Sequence, residues 1–135
     1  MADVEKKRIL AVDDDASICE FYETALKMMG FDVRIATNAR SAKESILLHR
    51  PDLILMDIMM PDQDGISLTR ELRNDRKTSE IPIVMVSGLA DAGTLQDALL
   101  FGAVGYLVKP VDHDTLKAKI DSTLTAIEHR NKKPS

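Results

Sequence analysis

Only one cysteine, Cys19, occurs among the 135 residues, which excludes an internal disulfide and fits a reducing cytoplasm. It lies in a helix-like stretch and reads as a small packed side chain. A basic surplus is missing too. Against 22 Asp and Glu stand 18 Lys and Arg, a formal charge of −4, so nothing supplies the positive field of direct nucleic-acid binding. No run of apolar residues approaches a membrane span, and the opening MADVEKKR lacks the apolar centre of a signal peptide. His49, His113 and His129 are scattered, and no Cys/His cluster offers a zinc site. There is no repeat and no low-complexity segment. What remains, 44% apolar and 30% charged, has the composition and length of one ordinary globular domain.

Strand and helix patterns alternate along that domain. Arg8 to Val12 reads as a short buried strand. Ile18, Phe21, Tyr22, Ala25, Leu26 and Met29 then recur at the spacing of one helix face, with Gly30 as its C-terminal cap. Phe31 to Ala36 alternates like a half-buried strand, and Ala39 to His49 is helical behind the N-cap Asn38. Leu53 to Met56 is a third strand. The turn-forming Pro61-Asp62-Gln63-Asp64-Gly65 follows, and then a short helix through Ile66 and Leu72. Ile81 to Val86, a weak helix from Thr94 to Phe101, and Val104 to Val108 complete the series. A last helix carries Leu116, Ile120, Leu124 and Ile127, ahead of a polar tail from 129 to 135. Five β-then-α units predict an open α/β sandwich, a parallel sheet with helices on both faces and its four most apolar strands buried on both sides. Such sheets bind ligands beyond the carboxyl ends of their strands.

The residues at those ends are chemically unusual. Asp13 and Asp14 follow the first strand, Asp57 the third, Ser87 the fourth and Lys109 the fifth. Singly, each has an ordinary reading: Asp14 or Asp15 as a helix N-cap, Ser87 as a turn residue, Lys109 as a solvated charge. Together on one rim they do not. Two like charges ~4 Å apart cost about 4 kcal/mol at an effective dielectric near 20, so three carboxylates call for a cation. Oxygen-only ligation points to Mg²⁺, with Mn²⁺ as the alternative ion. A carboxylate can attack phosphorus to give an aspartyl-phosphate, with the cation, Lys109 and the Ser87 hydroxyl each taking one phosphoryl oxygen.

Four ordered motifs carry a family resemblance: Ile9-Leu10-Ala11-Val12-Asp13-Asp14-Asp15; Leu53-Ile54-Leu55-Met56-Asp57-Ile58-Met59-Met60-Pro61 with Asp64-Gly65; Val84-Met85-Val86-Ser87-Gly88; and Gly105-Tyr106-Leu107-Val108-Lys109-Pro110. With these, the chain resembles the receiver domain of two-component response regulators, of the stand-alone chemotaxis-regulator type. The resemblance implies a flavodoxin-like, doubly wound five-stranded parallel sheet in the order 2-1-3-4-5, with a receiver domain over residues 1–128. It implies Asp57 as phosphoacceptor from a histidine kinase or phosphotransfer protein. Asp13, Asp14, Asp57 and the Met59 backbone carbonyl become the metal ligands, Ser87 and Lys109 the phosphoryl contacts, Tyr106 a switch aromatic, and Pro110 the second residue of a cis peptide. Ser87 stands where the family more often has threonine. Met59 and Leu89, two residues beyond Asp57 and Ser87, flank the path of a hydrolytic water, and being apolar they predict slow self-dephosphorylation.

The expected output is a phosphorylation-dependent change on the fourth helix, fifth strand and fifth helix, read by a protein target that the sequence leaves unidentified, with the chain monomeric or dimerising on phosphorylation. Any catalysis is limited to self-phosphorylation from donors and self-dephosphorylation. Two alternatives stay open: a receiver fragment of a larger regulator or hybrid kinase, and a Mg²⁺-dependent small-molecule phosphohydrolase. The initial Met and the five complete units favour a stand-alone protein. The short loops, with no insertion to form a lid, count against the hydrolase.

Overall fold

The computed structural model describes residues 6–89 and 91–132. Five strands and five helices alternate: β1 Arg8–Val12, α1 Ala16–Met28, β2 Asp32–Ala36, α2 Ala39–Leu48, β3 Leu53–Met56, α3 Gly65–Arg73, β4 Ile83–Ser87, α4 Ala92–Leu100, β5 Gly105–Val108 and α5 His113–Lys132. All strand pairs are parallel, in the order β2-β1-β3-β4-β5. The fold is therefore the flavodoxin-like arrangement implied by the motifs.

The two-residue period of a strand divides each apolar run between two cores. Leu10, Val12, Ile54, Met56, Ile83 and Met85 pack with Ala42, Ile46, Leu68, Leu72 and Ala98 under α2, α3 and α4. Ile9, Ala11, Leu53, Leu55, Val84 and Val86 pack with Tyr22, Leu26, Leu116 and Ile120 under α1 and α5. This is why β1, β3 and β4 read as unbroken apolar runs.

β5 departs from the expectation of burial on both sides. The strand order places it at an edge, leaving Tyr106 half-buried and Val108 exposed. Three central strands, not four, are fully covered. Residues 129–132, expected in the polar tail, continue α5. No glycine or proline interrupts Glu128 to Lys132, and the side chains there are mostly good helix formers. The rest of the expected tail, 133–135, lies outside the described residues, as does Ala90 within the loop before α4.

Helix ends are set by local chemistry. Asp15, Asn38, Asp64 and Asp91 cap α1 to α4, each accepting a backbone N–H of the first turn. Asp112 accepts from Thr115 N at 2.7 Å and serves α5 in the same way. At the other end of α1, Gly30 N bonds Lys27 O and Phe31 N bonds Leu26 O, with Gly30 at φ +93. Gly102, at φ +122, repeats that two-bond cap for α4 through Leu99 O and Ala98 O. A left-handed residue closes each cap, and glycine meets no Cβ penalty there.

Candidate functional site

Register brings the acidic residues together. Val12 pairs with Met56, so the chains leaving β1 and β3 emerge side by side with Asp13 and Asp57 as their next residues. Asp57 N donates to Val12 O at 3.0 Å, continuing the ladder one step past the strand. Carboxylate oxygens of Asp13, Asp14 and Asp57 all lie within 4.8 Å of one another. Asp13 is 0% and Asp57 6% exposed, whereas Asp14 faces solvent.

The fifth strand supplies the counter-charge. Lys109 N bonds Ser87 O, and its Nζ reaches Asp13 Oδ2 at 2.6 Å and Asp57 Oδ2 at 3.3 Å. Lys109 is thus an ion-paired residue of the rim and not a solvated charge. Burial disfavours its ammonium, yet the bond to Asp13 and the charge of Asp57 prevail and hold its pKa above the usual lysine value. Asp57 moves in the same direction for a different reason. Burial first, then the Asp13 charge, push its carboxyl above the usual range, against the pull of Lys109 and the Met59 N–H.

Three carboxylates and one ammonium leave two uncompensated negative charges if all are ionised, and the donor atoms are all oxygen. That set fits a hard divalent cation with waters in the remaining positions. The deficit is the physical reason for expecting one, and Asp14, on the solvent side, leaves the cluster open to water.

Ser87 and Tyr106 occupy the other side of the rim. Ser87 continues the alternation of Ile83 and Met85, toward α3 and α4, whereas Asp13, Asp57 and Lys109 continue that of Ala11, Leu55 and Leu107, toward α1 and α5. The Ser87 side chain is buried, and its Oγ accepts from Leu89 N at 3.4 Å. The Tyr106 hydroxyl donates to the Leu89 carbonyl, and its ring packs on the core beneath α4. Leu89 thus bridges Ser87 and Tyr106 through its backbone. Leu89 is 36% exposed and Met59 64% exposed. The Lys109–Pro110 peptide is cis.

Three features of the site were not read from the sequence. Gly65 begins α3 against the Asp57 backbone: a Cβ there would overlap the Asp57 carbonyl oxygen and lie 3.0 Å from the Met56 Cγ. Its dipeptide, Asp64-Gly65, belongs to the second motif and carries a turn signal, but neither announces the contact with Asp57. Asp62 reaches away from its own loop to accept from Ala39 N and Arg40 N at 2.9 and 3.0 Å. No local pattern announces that contact. Cys19 donates its thiol to the Asp13 carbonyl at 3.1 Å, behind the acidic cluster. Burial, and then the Asp13 charge, raise the Cys19 pKa and keep it a thiol, which suits a packed side chain.

Residues 9–121 match the family model of the response regulator receiver domain. A probable transcriptional regulator, ycf27, of Cyanophora paradoxa is 39% identical over 127 residues, covering 94% of this chain and 52% of that protein. The chain spans about half the length of the curated relatives it matches. A CheY-like receiver domain protein from Methanospirillum hungatei superposes with a TM-score of 0.87 at 32% identity, over 93% of this chain and 99% of that one. The signal receiver domain of a histidine kinase from Syntrophus aciditrophicus gives 0.83 at 28% identity, with 96% of each chain covered. Among the described residues no helix is long and apolar enough to cross a membrane.

Proposed function

The chain belongs to the response regulator receiver domain family of two-component signalling, and on that premise we propose that it is a phosphorylation switch whose acceptor is Asp57. The observation that carries the reading is the buried Asp57 carboxylate at a rim it shares with Asp13, Asp14 and Lys109. An Asp57 oxygen attacks the phosphorus of a phosphohistidine on a kinase or phosphotransfer protein. The P–N bond breaks, and the imidazole leaves with the electron pair. Asp13, Asp14, Asp57 and the Met59 carbonyl would hold Mg²⁺, which neutralises charge on the transferring group. Lys109 shifts from pairing carboxylates to meeting a phosphoryl oxygen, and the Ser87 hydroxyl donates to another.

The added group carries about −1.5 to −2 charge where the carboxylate had −1. As Ser87 turns toward it, the Ser87 to Leu89 bond is lost and the Leu89 carbonyl held by Tyr106 is freed to shift. The disturbance reaches α4 and β5, and with α5 they form the face offered to a protein target. That the receiver works inside a longer regulator is a second reading, supported by relatives about twice its length. The complete open reading frame decides between the two.

The test is intact-mass analysis after incubation with acetyl phosphate, with and without Mg²⁺, on the wild type and Asp57→Asn. A gain of one phosphoryl group that needs both Mg²⁺ and Asp57 is expected. Uptake by Asp57→Asn at the wild-type rate would reject Asp57 as the acceptor, and release of inorganic phosphate without an adduct would favour a hydrolase.

A further inference from the structure

The segment between β3 and α3 is fastened unevenly. Gly65 N bonds Ile58 O at 2.7 Å and closes its base, beside which Asp64 caps α3 through Ser67 N and Oγ. Between these points Met59, Met60 and Pro61 form an arm, and the candidate metal-ligating carbonyl of Met59 lies on it. Met59 N reaches Asp57 Oδ1 only at 3.4 Å, and Met60 packs partly on the core. The next residue, Asp62, leaves the loop altogether and accepts the first two N–H groups of α2. Those two bonds hold the Asp62 carboxyl below the usual range, so it is ionised at the positive end of that helix.

Asp62 takes the two N–H groups of α2 that the helix's own cap leaves free. Asn38, the helix's own cap, accepts only from Ser41 N, at 2.8 Å. The Asp62 contact therefore completes the cap of α2 and, in the same two bonds, ties the loop to it. A second tie runs parallel to it: Gln63 Nε2 reaches Glu71 Oε1 at 3.3 Å, and Lys43 Nζ reaches Glu71 Oε2 at 3.1 Å, linking loop, α3 and α2.

We infer that Asp62 is a positioning residue for the acidic site, clamping the Met59 to Pro61 arm against the N-terminus of α2. The inference rests on the reading of the rim as a Mg²⁺-assisted phosphoryl acceptor and adds to it a named support outside the rim. Groups that orient metal ligands from behind typically change metal affinity 10–100-fold when removed. Acting through three residues of backbone, Asp62 belongs at the lower end, about tenfold.

The experiment uses the full chain, as wild type, Asp62→Ala, Asp62→Asn and Asn38→Ala. Mg²⁺ is titrated while backbone amide shifts around Asp14 and Asp57 are followed, and phosphoryl uptake from acetyl phosphate is measured against Mg²⁺ concentration. Asp62→Ala is expected to raise the half-saturating Mg²⁺ about tenfold in both readouts, affecting the Mg²⁺ requirement more than the maximal uptake. Asp62→Asn, which keeps one acceptor oxygen, falls between it and the wild type, and carries the test if the alanine variant does not fold. Asn38→Ala strips the helix's own cap, leaves the arm fastened and moves the midpoint less than about twofold. A wild-type midpoint for Asp62→Ala, or an equal shift from Asn38→Ala, overturns the inference while leaving the acceptor reading intact. A wild type with no Mg²⁺-dependent shift at the rim overturns the acceptor reading, and this inference with it.

Discussion

Asp13, Asp57 and Lys109, on the α1/α5 side of the rim, are fixed by three strands, by ladder bonds that run past the strand ends, and by the ion pairs of Lys109 with both carboxylates. Ser87, Leu89 and Tyr106, on the α4 side, are joined by one long hydrogen bond and one hydroxyl-to-carbonyl contact across a loop. The helix beyond that loop buries only Ala98, whereas α3 buries Gly65, Leu68, Thr69 and Leu72. On the proposed phosphorylation switch, the difference separates two tasks. Groups that meet a reacting phosphoryl must be held before it arrives, which rigid strands provide. Groups that report its arrival must have somewhere to go, which needs few buried contacts.

The same substitution on each side breaks the comparison most sharply. Gly65→Ala forces a methyl into the Asp57 carbonyl and is expected to cost about 3 kcal/mol, the upper range for overpacking, with loss of phosphoryl uptake. Gly88→Ala meets open space and should change stability by less than about 0.5 kcal/mol. Denaturant unfolding of the two variants checks both. Equal costs would mean that the α4 side is as tightly built as the other.

Met59 and Leu89 straddle the two sides, and neither side chain can orient a water. Placing polar groups there, as Met59→Asn with Leu89→Glu, is expected to speed decay of the phosphorylated form about tenfold. The decay is followed by mass after removal of the donor. An unchanged decay would show that water access, not orientation, limits the step.

Smaller effects separate charge from motion. Because burial and Asp13 raise the Asp57 pKa, the folded state holds that proton more tightly than the unfolded state. The stabilisation is complete below the ordinary carboxylate range and is lost as pH rises through the folded pKa. Metal-free Asp57→Asn should therefore match the wild type in acid and become more stable near neutrality, by on the order of 1 kcal/mol from like-charge relief. Thermal melts with chelator at both pH values read this directly. Lys109 has the opposite sense of charge: its raised pKa gives stability present below the ordinary lysine value and lost as pH rises through the folded pKa. Tyr106→Phe removes the hydroxyl and with it the bond to the Leu89 carbonyl, worth about 0.5 kcal/mol at this part-exposed position. Faster amide exchange at Leu89 and residues 92–95, with Asp13 and Asp57 unaffected, would localise the loss to the α4 side.

Legibility followed the range of each interaction. Asp15 and Asn38 were readable as caps because the groups they satisfy lie two or three residues away. Asp64, Asp91 and Asp112 carry an equally local signal, each bonding the N–H of a Ser or Thr three residues on. β5 departs from the expected burial because its apolar run resembles that of β4, and only an edge position distinguishes them. Gly65 and Asp62 could not be read at all, since the atoms they meet belong to other elements.

By itself the sequence determined the alternation of strands and helices, the division of each strand between two faces, and which residues stand at the strand ends. These follow from periodicity and turn chemistry within short windows of chain. Tertiary structure alone decided that Val12 and Met56 share a register, that Lys109 meets Asp13 across 96 residues of chain, that Gly65 lies against Asp57 and that Asp62 reaches α2. Each depends on which strands are neighbours and how closely helices approach them, and a local window of residues holds no record of either.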